Sequence, residues 1–245
     1  MATRLATEKS AKNSRSPQSV AALKKTEHLG DAAAPDGTVL KLYRHDGAYA
    51  IRVNNVELMS SRRHNSEGKL AALVCAPLST ARAPRVLIGG LGLGFTLRTA
   101  LQILPVDATV IVAELIREVI RWNENPEYAL AHKELADPRV QLRHTDVASE
   151  LRRPEAGFDA IMMDVDNGAE SFTTRGNSRL YESGGIFIAA AALRARGRIV
   201  YWSSNEDNAL ARAMREAGLD VQAHSARAHA TSGAWHSLYV GQRRA

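Results

Sequence analysis

The sequence predicts an α/β fold: a mostly parallel sheet with helices on both faces and an antiparallel last strand, preceded by a small antiparallel meander. Three observations predict it. From Arg85 onward, short apolar runs alternate with stretches of helical period, the order that buries a parallel sheet between two helical layers. The first run, Arg85-Val86-Leu87-Ile88, passes directly into Gly89-Gly90-Leu91-Gly92-Leu93-Gly94, and the next, Val110-Ile111-Val112-Ala113, ends on Glu114. Upstream, the apolar sets Val39, Leu40, Leu42, then Tyr49, Ile51, Val53, then Val56, Leu58 are separated by His45-Asp46-Gly47 and Asn54-Asn55, both hairpin signals.

The elements follow in order. Residues 1–36 are rich in Ala, Ser, Lys and Thr with no sustained hydrophobic period, and they are expected to form a disordered tail. The meander is placed at 37–62 and the main domain at 63–245. Ser66 is expected to cap a helix that runs through Leu78. Then come strand 85–89, a helix from Gly94, strand 108–114, helices across 115–135, strand 140–144 and strand 158–164. A helix across about 178–195 precedes strand 198–203, a helix over 205–217 is closed by Gly218, and two strands near 219–224 and 235–241 end the sheet. Gly90–Gly94, Glu114, Asp146 and Asp164 thereby fall at the carboxyl edge, where open α/β sheets take their ligands.

The glycine loop sets the ligand class. Glycines at 90, 92 and 94 let the backbone turn tightly and approach a ligand closely, because no Cβ intervenes. Glu114, at the tip of the next strand, can accept hydrogen bonds from a ribose diol. A dinucleotide fingerprint needs Gly-x-Gly-x-x-Gly, but counting from Gly90 and Gly92 its last glycine position holds Phe95. The Gly-x-Gly-x-Gly spacing instead resembles the first motif of class I S-adenosylmethionine-dependent transferases. Asp146, ending Val140-Gln141-Leu142-Arg143-His144-Thr145, stands where that group contacts the adenine amino group.

The 245 residues, 45% apolar, suit one α/β domain with appendages. The net charge of +6 is spread along the chain without aromatic-basic interleaving, which reads as solvated surface and speaks against a nucleic-acid partner. Cys75, among Leu70, Leu73, Val74 and Leu78 at helical spacing, reads as a small buried hydrophobe. As the single cysteine it excludes an intrachain disulfide, and a reducing, cytoplasmic setting is expected. No apolar run is long enough to span a membrane. No histidine pair has the i, i+4 spacing of a helical zinc site, so no metal is expected. The glycine turn also lacks the serine or cysteine of a hydrolase elbow.

The order of segments resembles one family, the spermidine synthase-like polyamine aminopropyltransferases, over about residues 38–242. The residues that carry the resemblance are the meander, the Ser66-Glu67 pair, the Gly-Gly-x-Gly-x-Gly loop, Glu114, Asp146, the apolar strand running into Asp164, and Leu180-Tyr181. It implies a Rossmann-like, methyltransferase-type sheet with S-adenosylmethionine or its decarboxylated form as co-substrate, held by Gly90, Gly92, Gly94, Glu114, Asp146 and Asp164. It further implies Asp164 as a catalytic residue, with Asp166 supplying the second carboxylate from a shifted position at the end of the same strand, and Glu67, Asn167 and Tyr181 beside a small-molecule amine acceptor. Homodimerisation stays open. Two departures stand out. Where the family reads Asp-x-x-Asp, the chain reads Asp164-Val165-Asp166-Asn167. Asn54-Asn55-Val56-Glu57 replaces the family's glycine turn and the glutamine that holds the aminopropyl arm.

Aminopropyl and methyl transfer pose the same problem, an amine lone pair aligned with a carbon on a sulfonium, so positioning and a carboxylate that deprotonates the amine are what the site must supply. Methyl transfer to a small molecule and a non-catalytic nucleoside-binding relative therefore remain alternatives. The arm separates the first two: decarboxylated S-adenosylmethionine wants acids or neutral groups there, whereas S-adenosylmethionine wants a cation, for which Arg62, Arg63 and His64 are the candidates.

Overall fold

The computed structural model describes residues 25–153, 157–165, 175–229 and 231–245. Four strands form an antiparallel sheet in the order β1-β2-β3-β4: β1 (Glu27–Ala33), β2 (Val39–His45), β3 (Ala48–Val53) and β4 (Val56–Ser60). The β2–β3 turn places Asp46 and Gly47 at φ 51° and 71°, and the β3–β4 turn places Asn54 and Asn55 at 48° and 65°. Positive φ at both central residues matches the right-handed twist of the flanking strands, which is why Asp-Gly and Asn-Asn mark them.

The tail expected to reach residue 36 ends earlier, because β1 lies inside it. β1 is an edge strand on which Ala32 alone is fully buried, so its alternation is faint in the sequence. Gly30 lets it rest against α3 (Arg117–Glu124): a Cβ there would stand 3.1 Å from the Trp122 indole nitrogen. Residues 1–24, and the disorder expected of them, lie outside the described residues.

The larger sheet comprises β5 (Arg85–Gly89), β6 (Thr109–Glu114), β7 (Val140–His144), β8 (Phe158–Met163), β9 (Leu193–Ser203), β10 (Leu219–Arg227) and β11 (Trp235–Arg243), in the order β10-β11-β9-β8-β5-β6-β7. β5 to β9 pair in parallel, and β11 enters antiparallel between β9 and β10. β9 starts at Leu193, inside the helix expected to run to 195. Its first turn of sequence, Leu-Arg-Ala-Arg-Gly-Arg, hides a strand that bends at Arg196, with φ 61°, and shifts register against β8 between Phe158 and Ala160.

The helices are α1 (Asn65–Cys75) with a 3₁₀ turn at Ala76–Leu78, α2 (Phe95–Ile103), α3, α4 (His132–Leu135), α5 (Val147–Leu151), α6 (Arg175–Tyr181), α7 (Ser183–Ala191) and α8 (Asn208–Glu216). The cap of α1 is His64, and Ser66 is buried in the first turn. One core layer packs β2, β3, α1 and α2 against one face of the large sheet, through Leu42, Ile51, Leu70, Ile88 and Leu97. The other packs α5, α7 and α8 against the opposite face, through Leu151, Ile186, Ile161 and Met214. Cys75 is buried in the first layer, and burial pushes its thiol up to about 12. Among the described residues no helix is long and apolar enough to cross a membrane.

Candidate functional site

From β5 the chain continues to β6 on one side, while β8 lies on the other. The two connections diverge and open a crevice at the carboxyl ends of β5 and β8. A cavity of about 680 Å³, counting the space open to solvent at its mouth, lies there. Gly90, Gly92, Glu114, Thr145, Asp146 and Asp164 line it.

The glycines have different tasks. Gly90, at φ 90°, leaves room for the chain after β8: a Cβ would stand 2.5 Å from the Asp164 carbonyl oxygen. Gly94, at φ 83°, begins α2 and abuts Ala131, whose Cβ would stand 2.3 Å from an added one. Gly94 is thus a packing position, while Gly90 and Gly92 face the cavity.

Glu114 is buried with both oxygens engaged, Oε2 accepting from the Leu91 N–H at 2.9 Å and Oε1 from the Ile116 N–H at 2.7 Å. Burial pushes its carboxyl up, and the N–H groups of Ile116, Leu91, Leu115 and Gly92 pull it back part of the way. The residue therefore ties the glycine loop to β6 at the cavity wall. Asp146 caps α5, its carboxylate accepting from the Ala148 N–H at 2.8 Å. The opposite wall was not anticipated. Leu40, Ile51 and Met59 of the small sheet close the cavity from above, and nothing in their alternation distinguished a ligand wall from core.

Asp164 stands where this cavity meets a second one of about 540 Å³, and Met59, Gly92 and Val165 are common to both. The Thr96 hydroxyl donates to Asp164 at 2.5 Å. Burial pushes the Asp164 carboxyl up to about 7; the negative charge of Glu67 adds to the rise and the Thr96 hydrogen bond opposes it. Glu67, on α1, lines the second cavity and accepts from the Ser66 hydroxyl at 2.6 Å. Ser66 in turn meets His236 Nδ1 at 3.2 Å. Since the Ser66 proton points to Glu67, its oxygen accepts from His236. Trp202, near the end of β9, lines the second cavity with Phe95.

The Tyr181 hydroxyl lies 3.1 Å from the Val165 carbonyl and 3.3 Å from that of Trp202, so it pins the segment after Asp164 to the end of β9. Asp166 and Asn167 lie outside the described residues. Of the three cation candidates, Arg62 pairs with Asp46 at 3.7 Å, Arg63 with Glu57 at 2.5 Å, and His64 stacks on Phe95 at 4.0 Å between ring centres. None lines the second cavity. Among the described residues no three His, Cys, Asp or Glu side chains gather as a metal site would require.

No protein-family profile matches the chain, and no curated protein matches it by sequence. Solved structures do match by shape. A spermidine synthase bound to the transition-state analogue AdoDATO superposes with a TM-score of 0.69 over 90% of this chain and 74% of its own, at 15% identity. The fold is that of the spermidine synthases. The enzyme from Thermotoga maritima gives 0.67 over the same shares at 14% identity. A probable spermidine synthase from Corynebacterium glutamicum gives 0.60 over 88% and 79% at 17% identity. At these identities the likeness concerns architecture alone.

Proposed function

We propose that the chain is an aminopropyltransferase that binds decarboxylated S-adenosylmethionine in the first cavity and an amine acceptor in the second. The observation that carries this reading is the charge of the second cavity: its ionisable lining among the described residues is Glu67 and Asp164, with no Lys, Arg or His. An aminopropyl arm and an incoming amine are both cations and are drawn to that pair, whereas the carboxylate of intact S-adenosylmethionine is repelled by it. The fold shared with spermidine synthases supports the same reading, and the family resemblance implies a polyamine as acceptor.

The reaction follows from those residues. The acceptor arrives as an ammonium and gives one proton to the Asp164–Glu67 pair. Its lone pair then attacks the arm carbon bound to sulfur; the N–C bond forms, the C–S bond breaks, and the bonding electrons leave on a neutral thioether. A carboxylate poised at about 7 suits this step, since it is partly ionised at neutral pH yet basic enough to hold the proton. In this reading Glu114, lining the first cavity, meets the ribose hydroxyls, and Asp146 the adenine edge.

Calorimetry with decarboxylated and intact S-adenosylmethionine, followed by a transfer assay with primary amines, tests the proposal. Preference for the decarboxylated form together with an aminopropylated product supports it. Preference for the intact form with methylated product replaces it by the methyltransferase reading, and binding without turnover leaves a nucleoside-binding relative.

A further inference from the structure

The second cavity adjoins an outer chamber through shared walls, Leu58, Met59, Ser60, Glu67 and Trp202 being common to the two. Both acids that can meet an ammonium at the reacting end, Asp164 and Glu67, stand on the inner side or at the waist. The outer chamber has a different chemistry. Its remaining acid among the described residues is Glu57, already neutralised by Arg63. Arg63 is fixed for that task by its backbone, whose N–H donates to the Ser60 carbonyl at 3.0 Å in an isolated β-bridge. Trp202 and His236 meet edge to face at 4.7 Å, and Ala228 and Ala234 complete an apolar wall. Burial lowers the His236 pKa, which keeps the imidazole neutral near pH 7.

A diamine whose first nitrogen reacts beside Asp164 would push its second ammonium into this chamber, where a paired glutamate and a guanidinium meet it. We infer that the acceptor is a primary monoamine with an uncharged tail lying against Trp202 and His236, and that the Arg63–Glu57 pair sets this preference. The inference rests on the aminopropyltransferase reading and replaces, as its acceptor, the polyamine that the family resemblance implies.

Butylamine and putrescine share a four-carbon chain and differ only in the second ammonium, so they test it directly. With the full chain and decarboxylated S-adenosylmethionine, butylamine is expected to give a kcat/KM at least about tenfold above putrescine, a margin of about 1.4 kcal/mol. Arg63→Ala releases Glu57 and should move the ratio toward putrescine by about tenfold, mainly through a lower KM for the diamine. Adding Glu57→Gln to that variant should return the ratio toward wild type. Putrescine ahead of butylamine in the wild type, or a ratio unmoved by Arg63→Ala, overturns the inference while leaving aminopropyl transfer intact. Calorimetry of both amines on protein saturated with methylthioadenosine provides a readout without turnover. If neither amine is aminopropylated, the parent reading falls; if butylamine also binds no better than putrescine, this one falls with it.

Discussion

Asp164 concentrates the chemistry of the site in one carboxyl group. Its pKa of about 7 makes two opposite demands visible. As the base of the proposed transfer it must be ionised, so kcat/KM is expected to rise with pH through about 7, and Asp164→Asn should remove that limb and cost about 10²–10⁴-fold in turnover. Glu67→Gln deletes the like charge that lifts Asp164, so the limb of that variant should move to lower pH. Stability runs the other way. Between the ordinary value of 3.8 and about 7 the native state keeps a proton that the unfolded chain has released, so stability falls as pH rises across that window and is level above it. Asp164→Asn is therefore expected to melt above wild type at pH 8, by a margin that shrinks at pH 5; equal margins at both would mean that the carboxyl is not buried as a charge. The position of Asp164 was legible as the acidic end of an apolar strand. Its elevated pKa was not, because burial, the main cause, and the charge of Glu67, 97 positions away in the chain, act on it only after α1 folds against the sheet. Glu114 was legible as a strand-ending acid, but its grip on Leu91 and Ile116 was not. Because both its oxygens accept backbone N–H groups, Glu114→Gln presents an amide donor to a donor. It should weaken nucleoside binding by about 10- to 150-fold, the worth of one hydrogen bond to a charged group, and lower the melting temperature as well. Calorimetry and thermal unfolding on one sample separate the two effects; lost affinity at an unchanged melting temperature would show that Glu114 acts on the ligand alone.

At the scale of elements, the β5–α2 loop and α6 show where sequence pattern suffices and where it stops. The spacing of Gly90, Gly92 and Gly94 marks a tight strand-to-helix turn, and all three take positive φ. What each glycine faces depends on distant chain, Asp164 for Gly90, Met59 for Gly92 and Ala131 for Gly94, and so could not be read locally. Their substitutions should diverge accordingly. Forcing a side chain into the left-handed region costs about 1–2 kcal/mol at either Gly92 or Gly94. At Gly94 the added Cβ also collides with Ala131, whereas at Gly92 it meets the flexible Met59 sulfur at 3.1 Å. Gly94→Ala should therefore unfold at distinctly lower denaturant than Gly92→Ala, and Gly92→Ala should lose nucleoside affinity in a folded protein. Equal stabilities would imply that the α2–α4 contact yields freely. Tyr181 opens a similar contrast. The sequence placed it near the acceptor, and the structure gives its hydroxyl the carbonyls of Val165 and Trp202. Tyr181→Phe removes that tie, worth about 0.5–1.5 kcal/mol or about 1–6 °C of melting temperature, and should lower turnover with nucleoside affinity unchanged.

For the whole molecule, the question is why a small antiparallel sheet precedes a complete seven-stranded α/β one. Leu40, Ile51 and Met59 answer it: the first cavity is walled on one side by the loop after β5 and the end of β6 and on the other by the meander, so neither sheet makes the site alone. The alternating pattern of β2 and β3 was legible as a half-buried sheet, but a pattern of period two says which face is covered and not by what. The docking rests on β1 against α3, where Gly30 meets the nearly buried Trp122. Trp122→Ala removes that plate from a site with little freedom to collapse and should cost about 3–5 kcal/mol of stability. Because the loss falls at the seam between the sheets, affinity for the nucleoside should drop at temperatures well below global unfolding, where the large sheet is intact by circular dichroism. A core substitution on the other face of the large sheet, Ile186→Ala, supplies the comparison: it should cost about 2–5 kcal/mol with affinity preserved below its own transition. If both variants bind the nucleoside equally well while folded, the meander covers the cavity without helping to hold what lies in it.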